Sequence, residues 1–232
     1  MIEPRRIHTV VLDVDDTLYP EHDYVLSGFA AVDAWLRAEC GVRGFGDVAR
    51  AKFDQGVRGK IFDEALKELG VPADGDLISR LVGVYRDHTP VLRLAEDAEE
   101  VLPWLATRFK LAALTDGYAA VQRKKLAALG LSRWIEFFVV TDELGREFWK
   151  PHPAGFERIM DHFGGVAAGF VYVADNPRKD FIAPRKLGWR TVRIRRAGGE
   201  HAAYEATAVE SAEREISDLR KLMTLLSGAG GN

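Results

Sequence analysis

The sequence predicts an α/β fold, a parallel sheet flanked by helices, with an all-helical insertion near its start. Three observations predict it. After position 94, short apolar runs alternate with helical patterns, as buried parallel strands do with their crossovers. Between residues 20 and 94, helical patterns follow one another with no strand of comparable strength. The first strand ends in carboxylates, which cannot lie unpaired in an apolar layer and must emerge at the strand's C-terminal edge, where such sheets place their ligands.

Residues 7–13 form the first expected strand. A helix follows over 22–40, with Val25, Phe29, Val32, Trp35 and Leu36 at helical spacing and Gly41 as its stop. Helical patterns over 47–56, 59–69 and 75–88 complete the insertion. Then come helix 96–107, strand 110–115, helix 118–129, strand 137–141, helix 153–163, strand 170–174, helix 178–187 and strand 190–194. A last helix is expected at about 218–226, with Ser217 as its N-cap. The expected division is a core of 1–19 and 95–226, a helical domain of 20–94 and a flexible tail of 227–232.

Composition narrows the function. With 47% hydrophobic and 29% charged residues and a net charge of −3, the 232-residue chain reads as an ordinary globular protein without a field that favours nucleic acid or acidic membranes. The Met1–Arg6 stretch has no apolar core, and no apolar run reaches the ~18 residues of a membrane span, so a cytoplasmic location is expected. Cys40 is the only cysteine, which excludes an intramolecular disulfide and suits a reducing compartment; it is expected in the core. Arg123, Lys124 and Lys125, and likewise Arg193, Arg195 and Arg196, read as solvated faces.

The chemistry concentrates at strand ends. Asp13-Val14-Asp15-Asp16-Thr17 closes the first strand, Thr115-Asp116-Gly117 the second, and Asp175-Asn176 the fourth, with Asp180 a little beyond; Lys150-Pro151 follows the third. In a parallel sheet all these ends lie on one edge, so residues far apart in sequence can meet. Several acids together repel one another and take up protons unless a divalent cation and a lysine offset them. Oxygen-only ligands suit Mg²⁺. If the chain turns just past Asp13, the Asp15 carbonyl can serve as a ligand and its carboxylate is freed for proton transfer. Thr115, Lys150 and the backbone N–H groups near Asp116 and Gly117 would hold a phosphoryl group. A calcium loop is excluded, because its glycine and glutamate positions hold Leu18 and Tyr24. The Asp16 and Asp116 side chains are expected to cap turns.

With these four motifs in order, the chain resembles the haloacid dehalogenase superfamily, matched by Asp13-x-Asp15-x-Thr17, Thr115, Lys150 and the Asp175/Asp180 pair. Ala174 stands where many members have glycine. The resemblance implies a Rossmann-like core with a C1-type helical cap. It implies Asp13 as nucleophile, Asp15 as acid and base, and Mg²⁺ held by Asp13, the Asp15 carbonyl and Asp175, with Asp180 and Asn176 ligating or steadying the ligands. The expected activity is a Mg²⁺-dependent phosphatase of a small phosphorylated metabolite, a sugar phosphate or a nucleotide. The alternatives are a phosphoglucomutase-like phosphotransferase and a non-catalytic binder of a phosphometabolite. Dehalogenation is disfavoured because Asp15 is present. Specificity is expected from the cap, with Arg58, Lys60, Tyr85, Arg86 and His88 as candidates, and from Gln122 at the mouth of the site. Oligomeric state is left open.

Overall fold

The structure is a computed structural model that describes residues 7–227. Its strands are β1 (Thr9–Leu12), β2 (Lys110–Thr115), β3 (Phe137–Val140), β4 (Phe170–Ala174), β5 (Arg190–Ile194) and β6 (Arg214–Ile216). They form one all-parallel sheet in the order β3-β2-β1-β4-β5-β6. The helices are α1 (Glu21–Cys40), α2 (Phe45–Asp54), α3 (Ile61–Glu68), α4 (Gly75–Asp87), α5 (Glu96–Ala106), α6 (Ala119–Ala128), α7 (Ala154–Phe163), α8 (Pro177–Asp180), α9 (Ile182–Leu187) and α10 (Lys221–Ser227). The described residues fall into two compact units, one of 7–21 with 93–227 and one of His22–Leu92.

The first unit is the Rossmann-like sheet flanked by helices. Val11, Ala112, Leu114, Phe170 and Tyr172 pack on one face with Phe156 and Ile159 of α7 and with Trp189. The alternate residues Val10, Leu12, Leu111, Ala113, Val171 and Val173 are buried as well, so both faces are covered. That is why the strands read as continuous apolar runs rather than alternating ones. The strand order reverses at β1, which lies between β2 and β4, and the crevice at such a switch point is where these sheets bind ligands.

The second unit is helical. Phe29, Phe45, Leu66 and Leu81 are buried in its core, with Phe62 and Tyr85 packed against them. Gly28 is required there, because the Tyr85 ring lies where a Cβ would stand. Several candidate specificity residues have structural partners within this unit. Arg58 stacks on Phe53 at 3.8 Å and donates to the Phe53 and Val57 carbonyls. His88 Nδ1 lies 2.5 Å from the Tyr85 carbonyl and Nε2 lies 3.1 Å from Ser27 Oγ. Lys60 immediately precedes α3, and Arg86 borders a cavity of about 290 Å³ together with Phe29, Phe53, Phe62 and Tyr85.

Some expectations need correction. The edge strand β6 was not foreseen: it is short and largely charged, so backbone pairing with β5 rather than an apolar pattern defines it. The helix expected over 178–187 is two pieces broken at Phe181, with Pro177 opening the first. Ser217 does not cap α10; its Oγ accepts from Lys221 Nζ at 2.9 Å. Cys40 is exposed, not in the core, because it ends α1 on the solvent side. The tail lies outside the described residues except for Ser227, which ends α10. Among the described residues, no helix is long and apolar enough to cross a membrane.

Candidate active site

The C-terminal edge of the sheet gathers the motifs. The Asp13 N–H donates to the Val173 carbonyl at 2.9 Å, extending the β1–β4 ladder by one residue and setting Asp13 beside the end of β4. Thr115 ends the neighbour on the other side, β2. Lys150 enters from the loop after β3. Its Nζ donates to Asp13 Oδ1 at 2.7 Å and to the Tyr172 hydroxyl at 3.0 Å. It also lies 2.8 Å from Asp180 Oδ1, in ion-pair contact without the alignment of a directed hydrogen bond. Burial opposes charge on this ammonium, yet Asp13 and Asp180 outweigh it and hold its pKa well above the ordinary lysine value.

One lysine does not balance this corner. Ligand atoms of Asp13, Asp175 and Asp180 all lie within 4.8 Å of one another, and all three residues are buried. Burial pushes the Asp13 carboxyl up to about 7 against the pull of Lys150. Burial, with Asp13 and Asp180 adding repulsion, pushes Asp175 up to about 9. Asp180 Oδ2 is fixed by the Asn176 N–H at 2.9 Å. Three converging carboxyl groups, of which Asp13 and Asp175 resist ionisation for want of a counter-charge, fit a hard divalent cation. Asn176 is a different case: its side-chain oxygen accepts from the Arg178 N–H at 3.1 Å and caps α8.

The Asp15 carboxylate faces another environment. It is not part of the acidic cluster. Its Oδ1 accepts from the Tyr19 hydroxyl and from Lys125 Nζ, the latter at 2.7 Å, and its Oδ2 accepts from Gln122 Nε2 at 2.9 Å. Burial raises its pKa, but Lys125, Tyr19 and Gln122 together outweigh burial and hold it below the ordinary value. Glu21 lies 3.8 Å from the same ammonium and is pushed up to about 7 by the Asp15 charge and by burial.

Sequence reasoning placed Lys125 on a solvated run and Gln122 at the mouth of the site; both are buried. The available signal was spacing. Gln122, Lys125, Leu126 and Leu129 share the inward helical face of α6 and its exit, so a lysine there interrupts an apolar stripe.

The turn residues complete the edge. Thr115 is buried and its Oγ accepts from Gln122 Nε2 at 2.5 Å. Gly117 has φ 120°, and a Cβ there would press on Gln122 at 3.3 Å. The Asp116 carboxylate is fully engaged, accepting from Thr141 Oγ at 2.8 Å, the Lys150 N–H at 3.1 Å and Lys179 Nζ at 2.9 Å. Asp16 adopts φ 49°, held there because its carboxylate accepts from the N–H groups of Glu21 (2.8 Å) and Glu200 (3.0 Å). Thr17 Oγ lies 3.5 Å from Asp13 Oδ2.

A cavity of about 160 Å³ opens at this edge, bordered by Asp13, Asp15, Thr115, Asp175, Lys179 and His201. Neither Lys179 nor His201 stood out in the sequence. Arg193, read as solvated, is buried: it donates to the carbonyls of Asp175 (3.3 Å), His201 (2.7 Å) and Tyr204 (3.0 Å), tying the His201 loop to the end of β4. Arg196 is likewise engaged, with both Asp97 and the Thr17 carbonyl.

The chain is 30% identical over 203 residues to a glyceraldehyde 3-phosphate phosphatase of Methanopyrus kandleri, covering 82% of this chain and 84% of the relative. It is 26% identical to the Methanocaldococcus jannaschii enzyme of the same name, covering 93% and 99%. In fold it is similar to the HAD-hydrolase YfnB of Bacillus subtilis, solved bound to magnesium, with a TM-score of 0.67, 21% identity and coverage of 96% and 99%. The haloacid dehalogenase-like hydrolase family model matches residues 7–188, and the chain belongs to that family.

Proposed function

We propose that the protein is a Mg²⁺-dependent phosphatase of a small phosphate monoester, a sugar phosphate or a nucleotide, working through an aspartyl-phosphate on Asp13. The observation that carries this reading is the pairing of opposites at one edge: a lysine-bound carboxylate in an acidic cluster, Asp13, beside a donor-bound carboxylate, Asp15. Two carboxyl groups in such different surroundings suit two different roles: a cation bound in the cluster would let Asp13 ionise and attack, while Asp15, outside the cluster, is left for proton transfer.

Asp13 attacks phosphorus, and the bond from phosphorus to the ester oxygen breaks. Asp15, protonated against the pull of its donors when the ester binds, would give that proton to the departing oxygen and take one back from the water that opens the acyl phosphate, so Asp13 is regenerated and inorganic phosphate leaves. Lys150 and the Thr115 hydroxyl hold phosphoryl oxygens in place. Asp13, Asp175 and the Asp15 carbonyl would hold the metal, with Asp180 steadying Lys150. The metal supplies positive charge against the phosphoryl oxygens.

The cavity lies below the roughly 300 Å³ of sites for drug-sized ligands. It suits the phosphoryl group and little more. The rest of the ester must meet residues that do not border this cavity. The relatives named for glyceraldehyde 3-phosphate favour a short sugar phosphate over a nucleotide.

The test is phosphate release from a panel of sugar phosphates, nucleotides and an aryl phosphate, with Mg²⁺ and with chelator. Release should require Mg²⁺ and fall by about 10⁴-fold or more in Asp13→Asn, as expected when a nucleophile is removed. A folded, metal-bound protein that releases no phosphate from any ester would sink the reading. An isomerised sugar phosphate in place of free phosphate would move it to a phosphotransferase.

A further inference from the structure

Two side chains of α6 serve no role in the proposed chemistry, yet both reach Asp15. Lys125 is 3% exposed and Gln122 1% exposed, and neither borders the cavity. A buried lysine is costly unless it is paired, and here it lies 2.7 Å from Asp15 and 3.8 Å from Glu21. Gln122 Nε2 lies within reach of two acceptors, Asp15 Oδ2 at 2.9 Å and Thr115 Oγ at 2.5 Å.

We infer that Lys125 and Gln122 are positioning residues that fix the plane of the Asp15 carboxylate for proton transfer and set its register against Thr115. This rests on the phosphatase reading. Lys125 and Tyr19 bind one carboxylate oxygen and Gln122 the other, so rotation of the carboxylate about its Cβ–Cγ bond breaks a hydrogen bond on at least one side. The amide of Gln122 spans from the acid–base group to the hydroxyl proposed to hold the phosphoryl group. One side chain thereby ties proton delivery to phosphoryl position. Gly117, with φ 120°, leaves room for this side chain: a Cβ there would press on Gln122 at 3.3 Å. The effect of such a clamp is geometric, since a proton donor misplaced by a fraction of an ångström loses most of its benefit.

Leaving-group dependence separates this role from a structural one. An alkyl phosphate needs its departing oxygen protonated, whereas a nitrophenyl phosphate departs as a stable phenolate. Lys125→Met and Gln122→Leu would be assayed on glycerol phosphate and p-nitrophenyl phosphate, with inhibition by inorganic phosphate as the binding control. The expected result is a loss in kcat of about 100-fold on the alkyl ester, the low end of general acid–base contributions. The loss on the aryl ester should be about tenfold or less. In Lys125→Met, KM and phosphate inhibition should stay within about twofold of the unaltered protein, since Lys125 touches neither the phosphoryl group nor Thr115; Gln122→Leu should weaken phosphate inhibition as well, because Gln122 holds the Thr115 hydroxyl. Equal losses on both esters, or an unchanged alkyl rate, would overturn the inference. If Lys125→Met does not fold, Gln122→Leu, a neutral and similarly sized change, decides alone. An unaltered protein that hydrolyses neither ester would instead remove the phosphatase reading, and this inference with it.

Discussion

The two sides of the catalytic edge treat carboxylates in opposite ways. On the β4 side, Asp13, Asp175 and Asp180 crowd together around one lysine, and Asp13 and Asp175 are pushed up to about 7 and about 9. On the α6 side, Asp15 is surrounded by donors and is held below its ordinary value. Asp13 and Asp15 are next-but-one neighbours in the chain, so the sequence alone gives them nearly equal surroundings. The difference lies in what the fold sets against each: other carboxylates that leave room for a cation, or neutral and cationic donors that complete the shell. The first arrangement is an incomplete electrostatic balance waiting for a ligand; the second is balanced as it stands.

The strongest way to break the acidic side is to remove its lysine. Lys150→Met leaves Asp13 and Asp180 buried without their ammonium, and breaking a buried pair costs about 3–5 kcal/mol. The sign with pH follows from the direction of the shifts. Carboxyls raised in the fold bind more protons folded than unfolded, so stability falls as pH rises through their window. The deficit of Lys150→Met should therefore grow from acidic to neutral pH, as read by denaturant unfolding at a series of pH values. A deficit independent of pH would mean that the lysine acts by packing alone.

Metal binding sharpens the comparison without a mutation. A cation needs Asp13 and Asp175 ionised, while without metal Asp13 sits at about 7 and Asp175 at about 9. Mg²⁺ binding should release about one proton or more near neutral pH, and its affinity should rise about tenfold per pH unit while one proton is displaced. Calorimetry in two buffers of different ionisation enthalpy measures this. By the same linkage, the metal-free protein should lose stability as pH rises from the ordinary carboxylate range toward about 9, and Mg²⁺ should abolish that loss. A binding enthalpy independent of buffer would contradict the crowding.

The smallest effect is expected away from the edge, where Asp97 repeats the logic of Asp15. Its carboxylate accepts from the two terminal Arg196 nitrogens, at 3.0 and 2.9 Å, and from the Leu219 N–H at 2.8 Å. Burial opposes ionisation there, but Arg196 and Leu219 outweigh it and lower the pKa. A lowered carboxyl stabilises the fold above its unfolded-state pKa, and that contribution is lost as pH falls through the folded value. Asp97→Asn should cost about 1–3 kcal/mol at neutral pH, as for a hydrogen bond to a charged group. The gap to the unaltered protein should narrow toward acidic pH, and a gap that widens there would reverse the assignment.

The sequence by itself determined the alternation of strand and helix, the helical stretch from about residue 20 to 94 and the four strand-end motifs, because each depends on local signals. Apolar runs mark strands buried on both faces, helical periodicity marks amphipathic faces, and acids at a strand end must leave the core. Local signals did not reach β6, whose charged side chains say nothing of its backbone pairing, nor Cys40, whose burial depends on which side of α1 meets other helices. Tertiary structure alone decided which carboxylates share a cation and which are clamped. Lys125 reads as one of a basic run on α6, and Arg193 as a charge on the last long strand. Both are buried because the parallel order brings α6 beside Asp15, and β5 beside the Asp175 carbonyl. A side chain's charge is written in the sequence, but its partner is set by which elements the sheet makes neighbours.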